Sequence, residues 1–260
     1  MLNYIKSEFY RITHTTTIYA ATGILTALVV AMNVVLVGCS KTFVQGGSFP
    51  YATSSFSLSM LVSSPTIYLC MGVIIVAILY EMDKRNGNLK NTIACGISRT
   101  KIFAGKCVVS FVTSAIVAVM VLAAYIGSAM LLLEQTGPVQ TGDVLMETLA
   151  VLLPAAAALI LGVLVLELFE KSVEGMIVWF LVIVLIPNVF FYMGFEIELF
   201  RRIASWMPVI FFKTDMIVNT SQCVTVWDSA AGLAKCIISG AVGSVVFGLA
   251  GIILLRKRDL

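Results

Sequence analysis

Long apolar runs separated by short polar stretches set the pattern of this chain. Six runs stand out: Ile18 to Val37, Leu58 to Tyr80, Cys107 to Leu133, Thr148 to Leu166, Gly175 to Met193 and Gly232 to Leu255. A helix rises about 1.5 Å per residue, so roughly 20 apolar residues cross about 30 Å of hydrocarbon. Lipid offers the backbone no hydrogen-bond partner, and each run is therefore predicted to be a helix. The expected fold is all-α and integral to a membrane, six transmembrane helices in a single domain over 1–260. Pro65 falls near the outer end of the second run. Pro187-Asn188 predicts a kink in the fifth, where Asn188 is a buried polar group that needs a partner.

The segments between the runs are not uniformly polar. In 1–16, Leu2, Ile5, Phe9 and Ile12 recur at helical spacing while Lys6, Arg11 and His14 turn elsewhere. This predicts a short amphipathic helix in the membrane interface. Between Glu81 and Lys106, six bases and two acids are mixed with Leu89, Ile93, Ile97, Ile102 and Phe103, and Gly87, Gly96 and Gly105 punctuate the stretch. Short helices joined by turns are expected there, with the apolar residues forming a docking surface or packing on the protein's own helix ends. Residues 194–228 are too apolar for a solvated loop. Leu199, Ile203, Trp206 and Ile210 make an approximate helical stripe that Pro208 interrupts, which predicts a re-entrant or interfacial helical hairpin. In the sixth run Gly240, Ser244 and Gly248 form a narrow small-residue face, suited to dimerisation or to packing within the subunit. Glu167, Glu170 and Glu174 flank the turn between runs four and five and read as water-exposed.

Composition agrees with a bilayer. Apolar residues make up 60% of the chain and charged ones only 12%, with a mean hydropathy of +1.02. A net charge of +3 is too small to point to nucleic acid. The placement of the bases says more. With both ends inside, the cytoplasmic face holds Lys6, Arg11, Lys84, Arg85, Lys90, Arg99, Lys101, Lys106, Lys171, Arg256, Lys257 and Arg258, twelve of the seventeen. Lys41, Arg201, Arg202, Lys213 and Lys235 remain outside, and the loop Glu134 to Glu147 carries three acids and no base. The positive-inside rule thus predicts a multi-pass plasma-membrane protein with cytoplasmic termini. Leu36-Val37-Gly38-Cys39 looks like a lipoprotein cleavage box, but the preceding apolar run is long for a signal core and Glu8 sits in the leader, so the first run is expected to remain as a span.

Candidate chemistry is sparse. The six cysteines show no C-x-x-C pair and no zinc-ligand spacing, and only Cys39 and Cys223 fall where a disulfide could join two outer segments. Gly105-Lys106 is preceded by Thr100 where a phosphate loop needs its first glycine, and no H-E-x-x-H occurs. The only histidine, His14, lies outside the spans. No catalytic residue, metal site or bound cofactor is expected, and no internal repeat relates the two halves.

In order and placement these features resemble the ABC-2 type transporter permeases, the membrane-spanning subunits of bacterial ABC exporters, some of which export antimicrobial peptides or give immunity to them. The resemblance covers essentially the whole chain. It rests on the opening from Met1 to Ile12, the run from Glu81 to Lys106, the hairpin after run five and the ending Arg256 to Leu260. The most specific part is an acid, a Gly-x-Leu turn, Ser-Arg and a Gly-Lys entering the third span, here Glu81, Gly87-Asn88-Leu89, Ser98-Arg99 and Gly105-Lys106. It implies an elbow helix carrying Ile5, Phe9 and Ile12. It also implies a coupling segment in which Glu81, Asp83, Arg85, Leu89, Ile93, Ile97, Arg99 and Lys101 dock a separate cytoplasmic ATPase that holds ATP and magnesium, and an outer gate at Leu199, Ile203, Trp206 and Pro208. A second permease copy or paralogue would complete the transporter, which would move an amphipathic peptide, drug or lipid-like cargo by alternating access. A non-transporting scaffold or sensor subunit of a signalling complex would share the same topology.

Overall fold

Residues 2–42, 52–85, 96–218 and 222–258 are described by the structure, a computed structural model; the side chains of 40–42 and 258 are set aside. The chain opens with α1 (Leu2–Thr13), which buries Tyr4, Glu8 and Ile12, each one turn beyond the last, with Ile5 and Phe9 half-buried beside them. Leu2, at one end of the predicted stripe, is exposed. Ile12 joins an apolar cluster with Ile18, Ile75, Leu79 and Val109, so α1 lies against the bundle.

Beyond it come α2 (Thr16–Thr42), α3 (Ser54–Val62), α4 (Thr66–Arg85), α5 (Arg99–Leu132), α6 (Thr141–Leu168), α7 (Ser172–Phe180), α8 (Ile186–Met193), α9 (Glu198–Ala204), α10 (Pro208–Thr214) and α11 (Ala230–Arg258). Among the described residues six helical stretches are long and apolar enough to cross a membrane: α2, α4, α5, α6, α7 continued into α8, and α11. The chain is an all-α protein of multi-pass membrane type.

Four boundaries depart from the sequence reading. The second run is two helices, because Pro65 lacks an N–H and the backbone turns at Ser63–Pro65, where Ser63 N–H closes α3 on Ser59 O (2.9 Å). α4 begins at Thr66 and continues to Arg85, so Glu81, Asp83 and Arg85 stand on its last turns and not in a loop. α5 starts at Arg99 and α6 at Thr141, each about two turns before its apolar run. The early start of α6 is held by Asp143, whose carboxylate accepts from Gln140 N–H at 2.7 Å. Lys106 and Glu147 therefore lie inside helices.

α6 is the central helix and packs on α11, α4, α7 and α5. It meets α11 closely at Gly240, where a side chain would run into the backbone of Leu153 and Pro154. Of the small-residue face, Gly240 alone packs within the chain. The inward face of α11 runs through Gly232, Cys236, Gly240, Gly251 and Leu255, while Ser244 is half-exposed and Gly248 meets open space.

The fifth span is interrupted by a π-helical turn, Leu181–Leu185, just before Pro187. Proline cannot donate to the carbonyl one turn back, and the extra residue spreads the ladder around that gap. Asn188 Nδ2 then donates to Val184 O at 2.7 Å, the partner that this polar side chain needs. Residues 194–228 break at Pro208 into two short helices and then continue past them. They hold two seven-residue helices, α9 and α10, and a two-stranded antiparallel ribbon pairing Ile217 with Val224 and Val218 with Cys223. Cys223 is a thiol, not bridged to Cys39. Both ends of the chain meet at one end of the bundle: Tyr4 of α1 rests on Gly105 of α5, and Phe103 of α5 rests on Gly251 of α11.

Candidate functional site

Four helices bring charged side chains together at that end. Asp83 comes from the last turn of α4, where Val76, Tyr80 and Asp83 share one inward face. Lys106 comes from the second turn of α5, Glu167 from the end of α6, and Arg11 and Glu8 from α1. Lys106 Nζ lies 2.8 Å from Asp83 Oδ2, 4.0 Å from Glu167 Oε2 and 3.7 Å from the centroid of the Tyr80 ring. The Arg11 guanidinium pairs with both Asp83 and Glu8. The Asp83 and Lys106 side chains are 5% and 7% exposed, so their attraction is little screened by water. α1 can reach them because residue 105 is glycine: a Cβ there would come within 2.7 Å of the Tyr4 ring.

Three carboxylates face two cations in this cluster. Burial pushes the Glu8 carboxyl above the usual range and Asp83 pushes it further, with Arg11 and Lys106 opposing. The arrangement contains no nucleophile and base pair. It is a joint that ties α1 to α4, α5 and α6. Nearby, Lys84 Nζ donates to Phe169 O at 2.9 Å and covers the last carbonyls of α6, and Ser172 Oγ donates to Glu81 Oε2 at 2.7 Å.

No protein-family model and no curated protein matches this chain.

The opposite end is held by neutral hydrogen bonds. Asn33 of α2 donates to Tyr125 O (3.1 Å) and Ser128 Oγ (2.8 Å) of α5 and accepts from Ser57 Oγ of α3 (2.6 Å). The Tyr125 hydroxyl donates to Ser57 O at 2.6 Å. Every polar group of the Asn33 side chain is used, in keeping with its complete burial. Glu147, also fully buried, is the exception: neither carboxyl oxygen has a hydrogen-bond partner among the described residues.

The residues expected to dock an ATPase are dispersed by the fold. Glu81, Arg85 and Lys101 are exposed, and Ile97 and Arg99 half-buried. Leu89 and Ile93 lie outside the described residues. Asp83 is corrected from docking surface to interior, because α4 carries it onto the inward face. Arg11, expected to turn away from the apolar stripe of α1, pairs with Asp83. Of the elbow residues, Ile12 is buried and Ile5 and Phe9 half-buried. Of the expected gate residues, Leu199, Ile203 and Trp206 are exposed and Pro208 is half-buried, and the burial in this segment falls on Val209 to Phe212.

Sequence reasoning missed Lys106, Glu167, Glu147 and Asn33. For Asn33 the signal was available, since it is the one strongly polar side chain within the first apolar run. Glu147 stands three residues after Val144 and four before Val151, both of which prove buried, so helical spacing placed it on the inward face.

Proposed function

We propose that the chain is the membrane-spanning subunit of an ATP-driven exporter of the ABC-2 permease kind, set in the cell membrane with both termini cytoplasmic. The reading rests on the family resemblance of the sequence, and one observation supports it above the rest: the two arms of the Glu81 to Lys106 segment are joined through Asp83 and Lys106, and the same pair holds Arg11 of α1. A motor pushing on that segment would move α1, α4 and α5 together, as coupling to ATP hydrolysis requires. Two copies, or this chain and a paralogue, would enclose the path, with ATP and magnesium on the partner ATPase. The cargo is an amphipathic peptide, drug or lipid-like molecule, and 194–228 is the outer gate.

The test is co-expression with a candidate cytoplasmic ATPase and then reconstitution into vesicles. Association, and ATP hydrolysis raised by the chain, are expected, and reversing the charge of Arg99 and Lys101 together should weaken both. Undiminished association and hydrolysis in that double variant would sink the docking assignment, and a chain that never alters hydrolysis would sink the exporter reading.

A further inference from the structure

A cavity of about 620 Å³ opens between α2, the α3–α4 turn, α5 and α10. Its wall is almost wholly apolar, with Val29, Met71, Leu122 and Phe212 among the lining side chains. Along α4 it runs from Thr66 to Ile74, about 12 Å at 1.5 Å per residue, from the outer end of that helix toward its middle. At the same outer end stands Lys213, the only formally charged side chain in the lining. Lys213 makes no ion pair among the described residues; its ammonium donates to Asn188 Oδ1 at 3.2 Å, a neutral acceptor. Other bases of this region differ, since Arg202 pairs with Glu198 and Lys235 with Asp215.

We infer that this cavity binds a single-chain amphipathic anion, a long-chain carboxylate taken from the membrane, with its chain between α2 and α5 and its headgroup on Lys213. The volume falls in the range of small-molecule sites, roughly 300–1,000 Å³, which are mostly apolar with a few polar groups fixing orientation. Charge complementarity selects the headgroup. An ammonium beside an apolar wall, with no carboxylate of its own, attracts an anion more strongly than it would in open water. The Pro187 gap contributes, because it leaves Asn188 bonded to Val184 O and aimed so that its Oδ1 holds Lys213 at the rim. As a statement about cargo this rests on the exporter reading; as a statement about binding it does not.

The probe is a sixteen-carbon carboxylate with a photoreactive diazirine at mid-chain, compared with its methyl ester, on the full chain in zwitterionic-lipid nanodiscs. The carboxylate is expected to label α2 or α5 peptides that line the cavity, and to do so at about tenfold lower concentration than the ester. Lys213→Gln should remove that advantage while leaving ester labelling unchanged, and Lys213→Arg should keep it. Leu122→Trp should abolish labelling by both. Lys213 is exposed, so its variants should retain the parent melting profile. Equal labelling by acid and ester, or labelling confined to peptides outside the cavity, would overturn the inference. Binding that persists in a chain unable to alter ATP hydrolysis would defeat the exporter reading alone. Loss of binding in a chain that still couples to its ATPase would defeat the cavity assignment alone.

Discussion

Asp83→Asn is the most searching perturbation of the ionic joint. Asparagine keeps the shape and one acceptor but removes the charge that faces Lys106 at 2.8 Å and Arg11 on the other side. Removing one partner of a buried ion pair costs about 3–5 kcal/mol, because the remaining charge stays desolvated. Two features soften the loss here. Glu167 Oε2 waits at 4.0 Å from the ammonium, and the Tyr80 face lies beneath it at 3.7 Å. Together they recover on the order of 1 kcal/mol, which leaves a net cost of about 2–4 kcal/mol. The assay is equilibrium unfolding in mixed detergent micelles, with Lys106→Met and the double variant completing the cycle. The double variant should be no worse than Asp83→Asn alone, since the ion left unpaired by the first change is removed by the second. A cost below about 0.5 kcal/mol, or simple additivity in the cycle, would refute the picture of a mutually dependent pair.

The same geometry sets other outcomes. Glu147→Leu should stabilise the chain by about 1–3 kcal/mol in the same assay, because both carboxyl oxygens are buried without partners among the described residues; destabilisation would contradict this. Gly105→Leu should push Tyr4 away and loosen α1, seen as faster thiol labelling of an Ile12→Cys reporter, and unchanged labelling would show that α1 is held otherwise. Glu8 adds a pH dependence. A carboxyl raised in the folded state contributes stability that is complete below its ordinary value of 4.5 and is lost as pH rises through the raised value. The attachment of α1 should weaken across that window, and Glu8→Gln should flatten the slope of stability with pH; an unaltered slope would assign the titration to another group.

The six apolar spans were legible because their period-free hydrophobicity answers to a single force, the cost of polar backbone in lipid. Their ends were not, since Lys106 and Glu147 carry charge and a hydropathy reading stops at charge. Burial of Lys106 depends on partners from another helix, Asp83 and Tyr80, and no local pattern announces a partner dozens of residues away. Pro65 and Pro187 show the same limit in another form. A kink was expected at Pro187 and none at Pro65, which was placed near the end of one span, yet Pro65 separates two helices and Pro187 follows a π turn inside a continuing span. The difference lies in what fills the gap: Asn188 bonds to Val184 O after the second proline, while α3 is drawn aside by its bond from Ser54 N–H to Glu134 O at 2.8 Å.

The two ends of the bundle are secured by different physics, and this bears on how it could move. The Asn33, Ser57 and Tyr125 network consists of short, directional, neutral bonds with every Asn33 side-chain group used, so any displacement of α2 against α5 breaks several at once. The ionic joint is less directional: Lys106 has Asp83 in contact, Glu167 at 4.0 Å and a ring face beneath, and can trade one carboxylate for the other with a shift of about 1 Å. A helix pivoting on the neutral end and sliding at the ionic end would keep its buried lysine paired throughout. That is the movement a permease needs if force enters through the Glu81 to Lys106 segment, and it makes Glu167→Gln informative. On the exporter reading this variant should slow ATP-coupled transport more than it lowers resting stability, because the contact of the ammonium with Asp83 is kept. A large stability loss with normal transport would show that Glu167 serves the resting fold alone.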